Sequence, residues 1–192
     1  FNKIFCIDIS YPRKFKLFTI FDIKPTETFD IIKNDFTVFY SQNIYKSNGN
    51  KLNDSVYIIG QPFVELNLLE KNQYSFIIQK TIENLQNKNI LYIPSRKEKR
   101  ENLIFLAKTN NIKILLTDYP LEIFFLINSK PSLIIGFTST AILTLNKIIL
   151  NLKLKTQITS REILNFQNES YLKRSNLIYN IFKNNKKITK KI

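Results

Sequence analysis

From Ser55 onward, short unbroken apolar runs alternate with longer stretches in which apolar residues recur every three or four positions. The short runs read as strands: Ser55 to Ile59 closed by Gly60, Ile90 to Ile93 closed by Pro94, Ile112 to Leu116, Leu133 to Ile135 ending in Gly136, and Ile149 to Leu154. The longer stretches read as helices. Leu68 to Gln86 carries Leu69, Phe76, Ile77, Ile82 and Leu85 largely on one side, and Lys97 to Thr109 turns Leu103, Ile104 and Leu106 inward. Leu121 to Ile127 follows Pro120, Ser139 to Lys147 follows Gly136, and Tyr171 to Lys183 closes the pattern. Continuous apolar strands alternating with helices belong to a parallel sheet covered on both faces. Right-handed crossovers then give an α/β, Rossmann-like layer structure. Ligands in such sheets bind at the carboxyl ends of the strands, here just after Ile59, Ile93, Leu116 and Ile135.

Ahead of Ser55 the rhythm is less regular. Asn2 to Ile9 and Lys16 to Phe21 read as strands, Pro25-Thr26-Glu27-Thr28 as the start of a helix to about Lys33, and Asp35 to Tyr40 as a short strand. From Ser41 to Asp54 the composition turns to Ser, Asn, Gly and Lys, as in a linker. The expected organisation is therefore residues 1–54 as a partial domain plus linker, and residues 55–192 as the layered domain with a basic tail. Phe1 is not Met and no basic-then-apolar leader opens the chain, so its simplest reading is a chain that begins part-way through a longer one.

Composition narrows the chemistry. The chain has 192 residues, 44% of them hydrophobic, which is enough for a packed core. Its nearest approach to a membrane-length apolar run, Ile112 to Leu126, is broken by Asp118, Pro120 and Glu122. One Cys and no His exclude an internal disulfide framework, His-based triads, imidazole acid–base chemistry and a structural zinc site. Any catalysis must use carboxylates, hydroxyls, cations or a bound cofactor. Lys+Arg outnumber Asp+Glu by 29 to 15, a net charge of +14. Most of this charge is dispersed, as on a solvated basic surface. The one concentrated run, Lys183 to Lys191, fits either a frayed end or contact with anionic lipid. The aromatics fall in predicted strands and helices rather than along a Lys/Arg stripe, which argues against a nucleic-acid-binding module.

Four candidate positions fall at the predicted strand ends. Gly60-Gln61-Pro62, with Glu65 behind it, offers a turn that only glycine opens easily. Pro94-Ser95-Arg96-Lys97-Glu98 places two cations before a helix, where an anion could sit; the plain alternative is a solvated basic loop with Glu98 and Glu101 offsetting the helix charge. Glu122, in a first helical turn, serves either the helix dipole or a ribose diol. Gly136-Phe137-Thr138-Ser139-Thr140-Ala141 runs a strand into a glycine, three hydroxyls and an apolar helix. One hydroxyl is enough for a cap; three beside free N–H groups could cradle a phosphate. This run is neither a Walker loop nor a dinucleotide fingerprint. Cations and hydroxyls for phosphate, plus a carboxylate for ribose, would hold a nucleotide sugar.

The order Ile58-Ile59-Gly60-Gln61-Pro62, Tyr92-Ile93-Pro94-Ser95-Arg96-Lys97-Glu98, Pro120-Leu121-Glu122-Ile123 and Ile135-Gly136-Phe137-Thr138-Ser139-Thr140-Ala141 resembles the bacterial sialyltransferases of glycosyltransferase family 52. These are the lipooligosaccharide sialyltransferases, similar also to the bacterial polysialyltransferases. The resemblance covers roughly Ser55 to Lys183. It implies a GT-B-type enzyme whose C-terminal Rossmann-like half binds the donor, cytidine monophosphate–sialic acid (CMP-sialic acid), and whose N-terminal half, here a remnant, supplies the base and the acceptor site.

On the matching positions the resemblance gives Glu122 the donor ribose, and Ser139 with Thr140, and Thr138 beside them, the phosphate. Ser95 stands where the family has a phosphate-binding His, with Arg96 and Lys97 able to compensate electrostatically. Asp22 falls near the family's acidic-acidic-Gly motif and is the candidate base, although here that motif reads Asp22-Ile23-Lys24. The implied reaction is metal-independent and inverting, with no cofactor beyond the donor substrate. The implied partners are a nucleotide-sugar donor and a cell-surface glycan, with peripheral contact at an anionic membrane and a cytoplasmic setting. The alternatives are a catalytically degenerate nucleotide- or glycan-binding remnant, and a basic nucleic-acid-binding module.

Overall fold

The computed structural model describes residues 14–20, 23–34, 36, 52–85, 88–164, 166 and 168–184. The chain divides into two compact units, Phe1–Ser41 and Gln42–Ile192. Asn2 to Ile9, Asp22, the tail beyond Asn184, and Asp35 to Tyr40 apart from Phe36 lie outside the described residues.

In the first unit, strands β1 (Phe15–Thr19) and β2 (Phe29–Lys33) pair in parallel, Phe15 opposite Phe29. The helix expected from Pro25 to Lys33 does not form. Phe29, Ile31 and Ile32 favour a pleated strand. The hydroxyls of Thr26 and Thr28 bond each other at 2.9 Å, and the Thr26 N–H donates to the Phe29 carbonyl at 3.0 Å, closing a turn where a helix would open. The Phe15 and Phe29 rings pack 5.5 Å apart, and Lys14 pairs with Asp30 at 2.7 Å.

The second unit is an α/β, Rossmann-like layer structure. Its elements are β3 (Leu52–Ile59), α1 (Lys71–Ile82), β4 (Asn89–Ile93), α2 (Arg100–Asn110), β5 (Lys113–Ile114), α3 (Leu121–Ile127), β6 (Lys130–Gly136), α4 (Thr140–Asn151), β7 (Gln157–Ser160) and α5 (Glu169–Asn184). The five strands are all parallel, in the order β5-β4-β3-β6-β7. The chain therefore steps outward from β3 to β5, then returns to lay β6 on the other side of β3. Right-handed crossovers place α1 and α2 on one face and α3 and α4 on the other. The strand order reverses between β3 and β6, and open α/β sheets take ligands at the carboxyl ends of the strands at such a switch point.

Several elements depart from the sequence pattern for identifiable reasons. Leu52 to Asp54, read as linker, belongs to β3, because the Leu52 and Asn53 backbone aligns with Lys130 and Pro131 of β6 ahead of an irregularity before Val56. Leu68 and Leu69 precede α1 in a turn held by the Leu68 N–H on the Phe63 carbonyl, and Glu70 with Gln73 then forms a capping box. The inward face of α1 is Tyr74, Ser75, Ile78 and Thr81, whereas Phe76 is exposed. In α2, Leu106 is buried as expected but Ile104 is exposed. The strand expected at Ile149 to Leu154 is the end of α4: Ile142, Leu145, Ile148 and Ile149 recur at helical spacing and are all buried. The chain turns at Lys153 with φ 53°, and β7 follows.

Behind the sheet's carboxyl edge lies an aromatic hub. The Phe63 ring meets Tyr74 (5.4 Å), Phe137 (5.8 Å), Phe166 (5.3 Å) and Tyr171 (6.3 Å). Burying such rings supplies both area and edge-to-face attraction. At the amino edge, Lys130 is buried with its Nζ donating to the carbonyls of Leu126 (3.1 Å) and Asn128 (2.6 Å). It thereby closes the C-terminus of α3, and burial pushes its ammonium down to about 8.

Candidate functional site

Each expected strand-end residue in the second unit falls on the carboxyl edge of the sheet or on the first turn of a helix beginning there. Gly60 follows the last residue of β3, and its N–H continues the ladder to the Ile93 carbonyl at 2.8 Å. Its constraint is not the backbone freedom expected of a turn, since its φ is not positive. It is space: a Cβ there would lie under 3.0 Å from the Tyr92 hydroxyl and from Glu98 Oε2. Gly136, ending β6, is limited in the same way by the side chain of Ile142, which leans back from α4.

Gln61 and Thr138 meet where the strand order reverses, the Thr138 hydroxyl donating to Gln61 Oε1 at 2.8 Å. Thr138 is buried and also lies 3.3 Å from the Tyr171 hydroxyl, so it ties loops together inside the edge. Ser139 is the N-cap of α4, its oxygen accepting the Ala141 N–H at 3.2 Å, as a serine before an apolar helix should. Thr140 opens the helix and is exposed. Ser139 keeps its hydroxyl proton, and Thr140 its whole hydroxyl, beside the positive end of α4.

Glu122 stands in the first turn of α3, half-buried, and its Oε1 accepts the Thr144 hydroxyl of α4 at 2.9 Å. Because Thr144 is one turn beyond Thr140, Glu122 flanks the helix whose N-terminus carries the hydroxyls. The ribose and phosphate candidates thus share one edge of one unit.

After β4, Ser95 is half-buried, and Arg96 and Lys97 are exposed. The helix behind them begins at Arg100 with Lys99 as N-cap, so Glu98 lies outside it and does not serve its dipole. Glu101 does so from the first turn, as expected, and Glu65 joins it, its Oε1 accepting both the Lys99 N–H and Asn102 Nδ2 at 2.8 Å. Glu98 is turned inward, accepting the Ser95 N–H at 2.6 Å on Oε2 and the Tyr92 hydroxyl on Oε1. Burial raises the Glu98 carboxyl to about 7, against these two hydrogen bonds, with the Glu65 carboxylate adding to the rise. Tyr92 bonds Tyr74 at 2.9 Å, and burial pushes both phenols well above their ordinary range.

Glu98, Tyr92 and Tyr74 are the residues that sequence reasoning under-read. Tyr92 and Glu98 were visible in the strand-end motif, but the inward turn of Glu98 is set by the absence of a Cβ at Gly60, a residue from another strand. Asp22, the candidate base, lies outside the described residues. Among the described residues no cluster of His, Cys, Asp or Glu has the make-up of a metal site, and no helix is long and apolar enough to cross a membrane.

Comparison with known proteins adds one finding. No curated protein and no solved structure matches the chain. Residues 23–158, which contain every one of these strand-end positions, match the family model of the alpha-2,8-polysialyltransferases. A sialyltransferase-type glycosyltransferase needs a nucleotide-sugar donor and a glycan acceptor. The chain belongs to the alpha-2,8-polysialyltransferase family.

Proposed function

We propose that the second unit binds CMP-sialic acid at the carboxyl edge of its sheet, for transfer of the sialyl group to a lipooligosaccharide or polysaccharide acceptor. The observation that carries this reading is the junction of β6 with α4, where Ser139 and the exposed Thr140 stand at a helix N-terminus while Glu122 flanks the same helix through Thr144. The phosphate takes Ser139, Thr140 and the α4 N–H groups; the ribose takes Glu122. Thr138, Gln61, Gly60 and Gly136 hold the two strand ends at the required separation. Ser95 borders the phosphate, and Arg96 and Lys97 supply charge in place of the imidazole that related enzymes carry.

The chemistry follows from that placement. A carboxylate, Asp22 in this reading, removes the proton of an acceptor hydroxyl, which attacks the anomeric carbon. The bond to the phosphate oxygen breaks through an oxocarbenium-like transition state. Charge then grows on the departing cytidine monophosphate, where helix N–H groups, hydroxyls and cations stabilise it without a metal. The configuration inverts. The enzyme works in the bacterial cytoplasm, at the inner face of the membrane, where its basic tail meets anionic lipid.

Calorimetry with cytidine monophosphate tests the donor site. The double substitution Ser139→Ala, Thr140→Ala should weaken binding at least about tenfold, roughly the worth of one charge-assisted hydrogen bond. Unchanged affinity would remove the phosphate assignment. Binding without transfer, with donor and acceptor both supplied, would leave a nucleotide-binding remnant.

A further inference from the structure

The hydrogen bonds behind the carboxyl edge form one chain with a fixed direction. Tyr92 gives its only hydroxyl proton to Glu98. The 2.9 Å bond between Tyr74 and Tyr92 must then be donated by Tyr74. The Tyr74 oxygen in turn accepts the Gln61 N–H at 3.3 Å. From the other side the Ser95 N–H reaches Glu98 at 2.6 Å. Gln61 extends the chain through its side chain, which accepts the Thr138 hydroxyl at 2.8 Å. Tyr74 and Tyr92 are fully buried, so bulk water does not substitute for either partner.

A charged acceptor at its end orders such a chain best, because both Glu98 oxygens then only accept, and more strongly than those of a neutral carboxyl. A protonated Glu98 has one accepting oxygen fewer for the same two donors, and its proton either competes with Tyr92, turning the hydroxyls back toward Tyr74, or faces the Ser95 N–H. We propose that Glu98 is a positioning residue whose carboxylate, acting through Tyr92 and Tyr74, holds the loops after β3, β4 and β6 in one frame and so sets the donor-phosphate grip. The groups facing it are Tyr92 from β4, Tyr74 from α1, and Glu65 from the loop after β3, while Arg96, Lys97 and Lys99 of its own loop carry exposed side chains. Burial and Glu65 bring its ionisation to about 7, so the frame forms and relaxes near neutral pH.

The consequence for the donor rests on the nucleotide reading above; the frame itself does not. Amide NMR of the full chain, titrated from about pH 5 to about pH 9 without ligand, separates the two. Ser95, Gln61 and Thr138 should shift together with one midpoint near 7, and Glu98→Gln should abolish all three transitions. Tyr92→Phe, which keeps the carboxylate and cuts the chain, should leave Ser95 titrating and silence Gln61 and Thr138; it carries the test alone if the Gln variant does not fold. Gln61 and Thr138 amides that ignore pH in the parent chain, or that still titrate in Tyr92→Phe, overturn the proposal. Cytidine monophosphate should bind Tyr92→Phe about tenfold more weakly than the parent at about pH 8. Equal affinity would overturn the link to the grip. Absence of binding by the parent itself would overturn the donor reading, with the titration still deciding the frame.

Discussion

The Thr138 hydroxyl and the Gln61 side chain, 77 positions apart in sequence, meet at 2.8 Å where the order of the sheet reverses. This bond joins the ends of β3 and β6, and the Phe63 and Phe137 rings repeat the junction one layer deeper at 5.8 Å. The two strand ends are therefore tied together by their own side chains before any ligand arrives. Pre-set geometry of this kind lowers the ordering cost of binding.

Removing the donor half of that bond should be felt in stability. Thr138→Val leaves Gln61 Oε1 without its buried partner and should cost about 1–3 kcal/mol. Gln61→Leu should cost less, and a double-mutant cycle by urea unfolding should return a coupling of about 0.5–1.5 kcal/mol. Additivity of the two substitutions would mean that the strand ends are held by the aromatic rings alone.

The two strand-end glycines should respond to different second-site changes. Gly60→Ala and Gly136→Ala each force a methyl into occupied space, at about 1–3 kcal/mol for overpacking. At Gly136 the obstacle is the buried Ile142 side chain, so Gly136→Ala should cost less in an Ile142→Ala background than in the parent, by thermal unfolding, although Ile142→Ala is itself destabilising. At Gly60 the obstacles are Tyr92 and Glu98, so Gly60→Ala should cost the same in either background. Coupling to Ile142 at both positions would show that the loss is not local.

Glu98 gives stability a distinctive pH dependence. Its carboxyl is raised to about 7 by burial, above the value near 4.3 of an unfolded chain. Between those limits the folded state keeps a proton that the unfolded state has released, so stability falls as pH rises. The full cost, roughly 3–4 kcal/mol, is in place above about pH 8. Lys130 acts in the opposite direction and in another window: its ammonium, lowered to about 8, makes stability rise with pH above that point. Denaturant midpoints at about pH 5.5 and about pH 7.5 isolate the Glu98 slope, and Glu98→Gln should flatten it. A parent protein whose midpoint rises across that interval would refute this. The charge that orders the loops is thus maintained at the expense of stability, as strained or desolvated groups at functional sites commonly are.

The sheet was legible from sequence because its strands are buried on both faces and so appear as unbroken apolar runs: Val56 to Ile59, Ile90 to Ile93 and Leu133 to Ile135 needed no partner to be seen. Ile148 to Leu150 shows the limit of that signal. A short apolar run is equally the buried stripe of a helix, and only packing decides between them. The strand-end residues were legible because the fold rule says where to look. The Glu98–Tyr92–Tyr74 chain was not, because it depends on side chains from α1, β4 and the loop beyond meeting under a glycine. Periodicity carries no record of such a meeting. Lys130 was silent for the same reason, since its partners are carbonyls that every sequence has.

The ribose assignment can be separated from the phosphate assignment by one missing hydroxyl. Glu122 already receives on Oε1 the Thr144 hydroxyl proton, shared with the Ala141 carbonyl at 3.0 Å, which ties the carboxylate to α4. A carboxylate held in this way accepts from a ribose diol with little further loss of side-chain entropy. Hydrogen bonds to a charged acceptor are worth about 1.5–3 kcal/mol. Cytidine monophosphate should therefore bind about tenfold or more tightly than its 2′-deoxy counterpart. Glu122→Gln should reduce that preference, while Ser139→Ala with Thr140→Ala should weaken both nucleotides and leave their ratio unchanged. Thr144→Val should lie between, since it frees Glu122 to rotate without removing its charge. A preference that survives Glu122→Gln intact would move the ribose elsewhere on the edge, and the carboxylate would then be there for the first turn of α3 alone.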